Sequence, residues 1–270
     1  MRLFIINMLA ILLIASPAAA AKNLTTLSEK LYYEAGFAGI LFGKIGIEIE
    51  QKPEKASITC DITSSGILAL FLKHSSHTTL EANGSSFSYP NRTYASNYHT
   101  RKKFRSVKLI YKNSKIDTQE VQPPDDREKR PAVPDSDINS AYDLMTFLLQ
   151  MRKEIDDARK NGRTYFSINA YDGRRLTQAD FNIGAEKTLE IAGKDIKTLM
   201  VTARRKPLAG YTKGEIEDIE PNEPSMTVYF SNDDNLTPLR MEVPFMMQKI
   251  SATLIKQCGP EESCLLGISG

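Results

Sequence analysis

Nucleophilic catalysis needs a serine or cysteine beside a histidine and an orienting acid. The chain offers three histidines, His74, His77 and His99, and no Gly-x-Ser-x-Gly elbow accompanies them. His74 and His77 have a spacing that metal ligands use, but their surroundings read as a strand, where residues three apart face opposite sides. Carboxylate pairs stand at Asp125-Asp126, Asp156-Asp157 and Asp233-Asp234, all in polar loops or at a helix end. Such places supply little of the burial that raises the pKa of a general acid. The acids from Glu215 to Glu223 lack the alternating ligand spacing of a calcium loop. These patterns therefore assign no catalytic residue, no metal and no cofactor.

Two other groups of residues point to binding. Arg101, Lys102, Lys103 and Arg105 are the densest basic cluster in the chain. A run of this kind is ordinarily a solvated strand end, and the further chemistry it offers is contact with an anion such as a lipid phosphate. Ile67-Leu68-Ala69-Leu70-Phe71-Leu72 is apolar without alternation, so it is a buried strand or one to two turns of helix, and periodicity does not choose between them. It either fills the core or lines an apolar cavity. Leu68, Phe71 and Leu72, with Arg101, Lys102, Lys103 and Arg105, are thus the candidate ligand-binding residues for a lipid or amphiphile.

The N-terminus carries an address. Arg2, the apolar stretch from Leu3 to Ala15 and the alanines from Ala18 to Ala21 form the tripartite pattern of a secretory signal peptide over 1–21, with cleavage expected near Ala20 or Ala21. Its apolar core is shorter than the roughly 20 residues that span a bilayer, and no later segment is long and apolar enough to do so. The expected location is the bacterial periplasm. With 35 basic and 33 acidic residues, the chain has no field that would favour nucleic acid. In an exported protein three cysteines suggest one disulfide and a spare thiol. Cys258 and Cys264 flank a turn-rich Gly259-Pro260-Glu261-Glu262-Ser263, and closing that loop removes roughly 2 kcal/mol of unfolded-state entropy. Cys60, in the strand-like Ser57 to Ile62, reads as a buried inert thiol.

The elements that position these groups are mostly strands. Leu41, Gly43, Ile45, Ile47 and Ile49 share one face of a run whose other face carries Lys44, Glu48 and Glu50. Gly39, Gly43 and Gly46 in that run mark bends. Residues His74 to Lys112 continue in strands with turns at Asn83-Gly84 and Pro90-Asn91. Asp117 to Asp137 is proline-rich and charged and reads as an exposed loop. Asp137 is expected to cap one helix, with Ile138, Ala141, Met145, Leu148 and Arg152 in a stripe and an end before Asn161-Gly162. Tyr165 to Ala203 follows as hairpins, with a type I′ turn expected at Asp172-Gly173 and a second turn at Gly193, and is read as the middle of the sheet. Pro238 places its strand at an edge or at a strand start. The expected fold is mainly β: a curved antiparallel sheet or half-barrel of hairpins with one covering α-helix. Residues 22–256 make one domain, or two β subdomains divided near 117–137, and 257–270 form a tail with the disulfide loop.

Asp137-Ile138-Asn139-Ser140-Ala141-Tyr142, Tyr171-Asp172-Gly173-Arg174-Arg175, Gly193 followed by Thr198, and Ser231-x-Asp233 leading into Pro238-Leu239-Arg240 occur in this order. Together they resemble the bacterial envelope family called domain of unknown function 3108, from about Lys30 to Lys256. That family places an aromatic, often Trp, before Ser-x-Asp, where Tyr229 or Phe230 stands here, and the chain has no Trp. The family has no established activity, so the resemblance implies no site residues. The expected plan is also similar to the periplasmic lipoprotein carriers, which hold acyl chains in an open half-barrel, a likeness of fold and not of site. The sequence reading is a non-enzymatic periplasmic binder or carrier of a hydrophobic or amphiphilic envelope ligand. The alternatives are an envelope assembly protein that holds a protein partner and a hydrolase acting on envelope glycan or lipid.

Overall fold

Alternating apolar residues separated by turn residues build nearly the whole chain as antiparallel strands. The computed structural model describes residues 26–69, 73–84, 89–219, 223–245 and 247–268, with backbone alone for Ile67 and Leu68. Residues 1–21, expected as a signal peptide, and residues Phe71 and Leu72 lie outside the described residues. The first half runs β1 (Leu27–Phe37), β2 (Ile40–Lys52), β3 (Lys55–Ser64), α1 (Gly66–Ala69), β4 (His74–Asn83), β5 (Asn91–Thr100), β6 (Phe104–Lys112) and β7 (Lys115–Gln122). Two helices follow, α2 (Asp135–Ile138) and α3 (Leu144–Lys160). The second half is β8 (Tyr165–Tyr171), β9 (Leu176–Ile191), β10 (Lys194–Ala209), α4 (Lys213–Glu217), β11 (Met226–Ser231), β12 (Pro238–Phe245) and β13 (Gln248–Gln257).

All thirteen strands belong to one sheet, in the order β7-β6-β5-β4-β3-β2-β1-β13-β12-β11-β10-β9-β8. Each half is a meander, and antiparallel pairing of β1 with β13 joins them. The middle strand is therefore β1. The Tyr165 to Ala203 hairpins, expected at the centre, form one end of the sheet because only the far termini of the chain pair across the middle.

The sheet is not closed, yet its ends meet. Tyr171 donates to the Gln119 side chain at 3.1 Å, and Gln119 donates to the Gly173 carbonyl at 3.0 Å. Arg174 reaches Asp125 and the carbonyls of Gln122 and Pro123, while Arg130 bonds Glu215 at 2.7 Å. The proline-rich segment expected as a loop from Asp117 thus begins only after β7, and its arginine and aspartate stitch the two sheet ends together.

Helix α3 occupies the concave side. Met145 and Leu149 join a cluster with Ile58, Leu80, Tyr94 and Leu109 of the first half. Met151, Ile155 and Ala158 join Phe166, Phe181, Val201 and Phe230 of the second. A helix buried by both halves holds the sheet in its curve. Two buried ion pairs fix it. Arg92 donates to Asp143 at 2.7 Å, with its guanidinium 3.6 Å from the Tyr111 ring centre, and Arg152 pairs with Glu29 at 2.8 Å.

Asp137 does not cap this helix. Tyr142 makes a parallel bridge with Ala170, donating to Asn169 O and accepting from Tyr171 N, so the backbone there is extended. The cap is Asp143, whose carboxylate accepts from Met145 N and Thr146 N. The turns differ as well. At 172–175 only Gly173 has positive φ, and the Asp172 side chain accepts from Arg174 N and Arg175 N, which makes a four-residue loop in place of a type I′ turn. Two successive positive-φ residues occur instead at Ala38-Gly39, Asn113-Ser114 and Ala192-Gly193, each closing a two-residue hairpin.

Gly46 serves packing more than curvature. A Cβ there would stand 2.1 Å from the Cys264 carbonyl oxygen. The tail crosses the outer face of the sheet, with Cys264 N bonded to Glu48 and Leu266 N bonded to Asp61. Cys258 and Cys264 are disulfide-bonded. Cys60 is buried, and burial, with the neighbouring Asp61 charge, pushes its thiol up to about 12.

Candidate functional site

Inward positions of β8, β9 and β10 set phenylalanines beside alanines. Phe166 pairs with Phe181 and Phe181 with Ala203, while Ile168 pairs with Ala179 and Ala179 with Arg205. Ala203 in turn pairs with Met226 of β11. Alanines at these positions leave space that the N-terminal turn of α3 does not fill. The result is an open cleft of about 750 Å³. Leu144 and Phe147 form its helix wall, and Ala170, Ala179, Phe181, Ala203 and Met226 its floor. Val243 and Pro244 close one side, and Tyr211, Ile219 and Pro224, from the segment between β10 and β11, form the lip.

The charged residues lining the cleft are Asp172, Arg175, Arg205, Asp218 and Glu223, of both signs. Asp172 and Arg175 pair at 2.7 Å, and Arg175 approaches Glu215 at 3.5 Å. Thr212 caps α4 in a reciprocal capping box with Glu215, which fixes the lip. Burial works against the Glu215 charge, but hydrogen bonds from Arg130 and Thr212 N, with the charges of Arg130 and Arg175, hold its carboxyl down at about 2. Arg205 lines the cleft as an exposed cation at the end of β10's inward row. An apolar floor with charges of both signs around it can hold an amphiphile, the hydrocarbon inside and a polar head at the rim.

The residues singled out from the sequence lie elsewhere. Arg101, Lys102, Lys103 and Arg105 are exposed at the β5–β6 turn, outside the cleft. Leu68 lies in α1, its side chain outside the described residues. The three histidines do not converge. His77 bonds Asp61 at 2.7 Å on the outer face, and His74 and His99 line a hollow of about 400 Å³ with Lys73, Thr100 and Arg101. Burial lowers the His74 pKa. Among the described residues no group of three or more His, Cys, Asp or Glu could hold a metal ion. The cleft residues were missed because their signal, small residues at inward positions beside phenylalanines, needs the register of three strands to be seen.

The chain belongs to the family described as protein of unknown function (DUF3108), whose model matches residues 31–255. Among solved structures it is similar to a β-barrel-like protein of domain of unknown function DUF1849 from Brucella abortus. That likeness has a TM-score of 0.56 at 9% identity and covers 86% of this chain and 98% of that one. A candidate lipoprotein from Parabacteroides distasonis aligns with a TM-score of 0.32 at 12% identity, over 87% of this chain and 96% of that one. No curated protein matches. At such identities the likeness shows the fold alone, a β-barrel-like sheet.

Proposed function

We propose that the chain is an exported protein of the bacterial periplasm that binds or carries a hydrophobic or amphiphilic ligand without transforming it. The observation that carries this reading is the cleft of about 750 Å³ beside α3, apolar on its floor with charges of both signs around it. Its volume lies in the range of small-molecule sites, roughly 300–1,000 Å³. The disulfide and the N-terminal signal pattern support export.

The absence of Trp from the sequence gives a clean test. Phe147→Trp places a single indole in the helix wall of the cleft. Titration of delipidated protein with oleate or lysophosphatidylglycerol is expected to shift its emission and saturate near one ligand per chain. Ala203→Met, which fills the floor, is expected to weaken that binding at least tenfold. Emission that does not saturate, or affinity unchanged by Ala203→Met, refutes the reading.

A further inference from the structure

The edge of the sheet next to the cleft has a composition unlike the rest of the surface. Along eight consecutive strands, β6-β5-β4-β3-β2-β1-β13-β12, the connections β1–β2, β3–β4, β5–β6 and β12–β13 all emerge on one edge. With strands about 4.8 Å apart, this edge is roughly 34 Å long. Its described tips carry large apolar side chains in water: Ile40 and Leu41, Phe104, Phe245, and Met247, which is 100% exposed. Phe37 and Phe245 stack edge to face with ring centres 5.5 Å apart, which joins the first tip to the last.

The charges on the tips of these eight strands have one sign, whereas the β10–β11 connection, which emerges on the same side beyond β12, carries Glu215, Glu217, Asp218 and Glu223. Residues 38–41, 65–73, 100–106 and 244–250 contain Lys73, Arg101, Lys102, Lys103, Arg105 and Lys249 and no Asp or Glu. In a chain of 35 basic and 33 acidic residues such segregation is not composition. Lys249 is engaged by Glu242 at 2.8 Å, whereas Lys102 and Lys103 have no ion pair among the described residues. The hollow lined by Lys73, His74, His99, Thr100 and Arg101 opens between these tips and offers cations and a hydroxyl to a phosphate. Isolated exposed apolar residues need no explanation, but four neighbouring apolar tips among basic residues, with the acidic residues set beyond β12, match the interfacial region of an anionic bilayer.

We propose that this edge docks on an anionic lipid bilayer, with Ile40, Phe104, Phe245 and Met247 entering the interface and the basic residues meeting headgroup phosphates. The edge adjoins the cleft, because Val243 and Pro244 line the cleft one step before Phe245. The docking rests on surface residues alone and stands or falls independently of what the cleft holds.

The test is co-sedimentation of the protein with large vesicles of phosphatidylcholine, with and without 40% phosphatidylglycerol, all variants sharing one N-terminus. Binding is expected only to the anionic vesicles and is expected to weaken steeply between 0.05 and 0.5 M NaCl. Each basic residue at an anionic surface is worth about a fivefold change, so Lys102→Gln/Lys103→Gln is expected to lose roughly 25-fold. Met247→Asp is expected to lose binding at every salt concentration. All three positions are exposed, so an unchanged melting temperature confirms that the variants are folded. Equal binding to neutral and anionic vesicles, or unchanged binding by the double glutamine variant, overturns the proposal. So does vesicle-independent dimerisation that Met247→Asp dissolves, which would make the edge a contact between two copies.

Discussion

Asp143→Asn isolates the interaction that seats the helix against the cleft. Asn caps a helix about as well as Asp, so the bonds to Met145 N and Thr146 N survive the exchange. What disappears is the negative charge 2.7 Å from the Arg92 guanidinium, with the Oδ2 acceptor that the Thr146 hydroxyl also uses, and the Arg92 and Asp143 side chains are 3% and 0% exposed. A buried cation left unpaired costs about 3–5 kcal/mol, a large part of the 5–15 kcal/mol that holds a typical fold. For a chain of this size about 1 kcal/mol moves the melting temperature by roughly 2–4 °C, so a fall of roughly 6–20 °C is expected. Arg92→Met added to Asp143→Asn removes the orphaned charge and is expected to recover most of the loss. The assay is thermal unfolding followed by circular dichroism, with urea titration as a second probe. A fall below about 3 °C in the single variant, or no recovery in the double, refutes the assignment of the pair as the helix anchor.

Gly46→Val puts a side chain where the Cys264 carbonyl stands, 2.1 Å from the Cβ, so the tail should lift from β2 and lose its bonds to Glu48 and Asp61. Faster tryptic cleavage at Lys256, read by mass spectrometry, is the expected outcome, and an unchanged rate counts against tail docking. Glu215 has its carboxyl lowered from 4.5 to about 2 in the folded state. Its stabilising contribution is therefore fully present above pH 4.5 and lost as pH falls towards 2. Wild type and Glu215→Gln should accordingly differ in melting temperature at pH 6 and converge near pH 2, and a constant gap would refute the Arg130–Glu215–Arg175 arrangement.

The pattern of hairpins could be read from alternation and turn residues, and the strands and the helix end before Asn161-Gly162 follow it. What escaped depends on partners far along the chain. Pairing of Leu31 with Gln257 has no local signal, so β1 could not be recognised as the middle strand. The helix start moved from Asp137 to Asp143 because Ala170 claims Tyr142 for a bridge, a tertiary contact that overrides local capping. The curved plan with an inner helix was legible. The cleft was not, because Ala170, Ala179 and Ala203 become one floor only when three strands are in register.

The bonds around the cleft decide how a guest would enter it. Withdrawal of α3 would strip both the Arg92–Asp143 and Arg152–Glu29 pairs, each with side chains no more than 8% exposed, and breaking even one costs about 3–5 kcal/mol. The lip is held differently. Its α4 turn is held through Arg130 and Arg175 to Glu215, partly in water, where such pairs are worth about 1 kcal/mol or less, while Tyr211 at its base is buried and hydrogen-bonded to Thr177. Displacing the α4 turn is therefore cheaper than moving the helix, with Tyr211 and Ser225 as the fixed ends of the segment. That segment faces Val243 and Pro244 across the mouth, and the exposed Phe245 and Met247 continue from there onto the basic edge. A ligand leaving a bilayer at that edge would meet the weakest wall of the cleft first, with the helix as a fixed inner wall throughout.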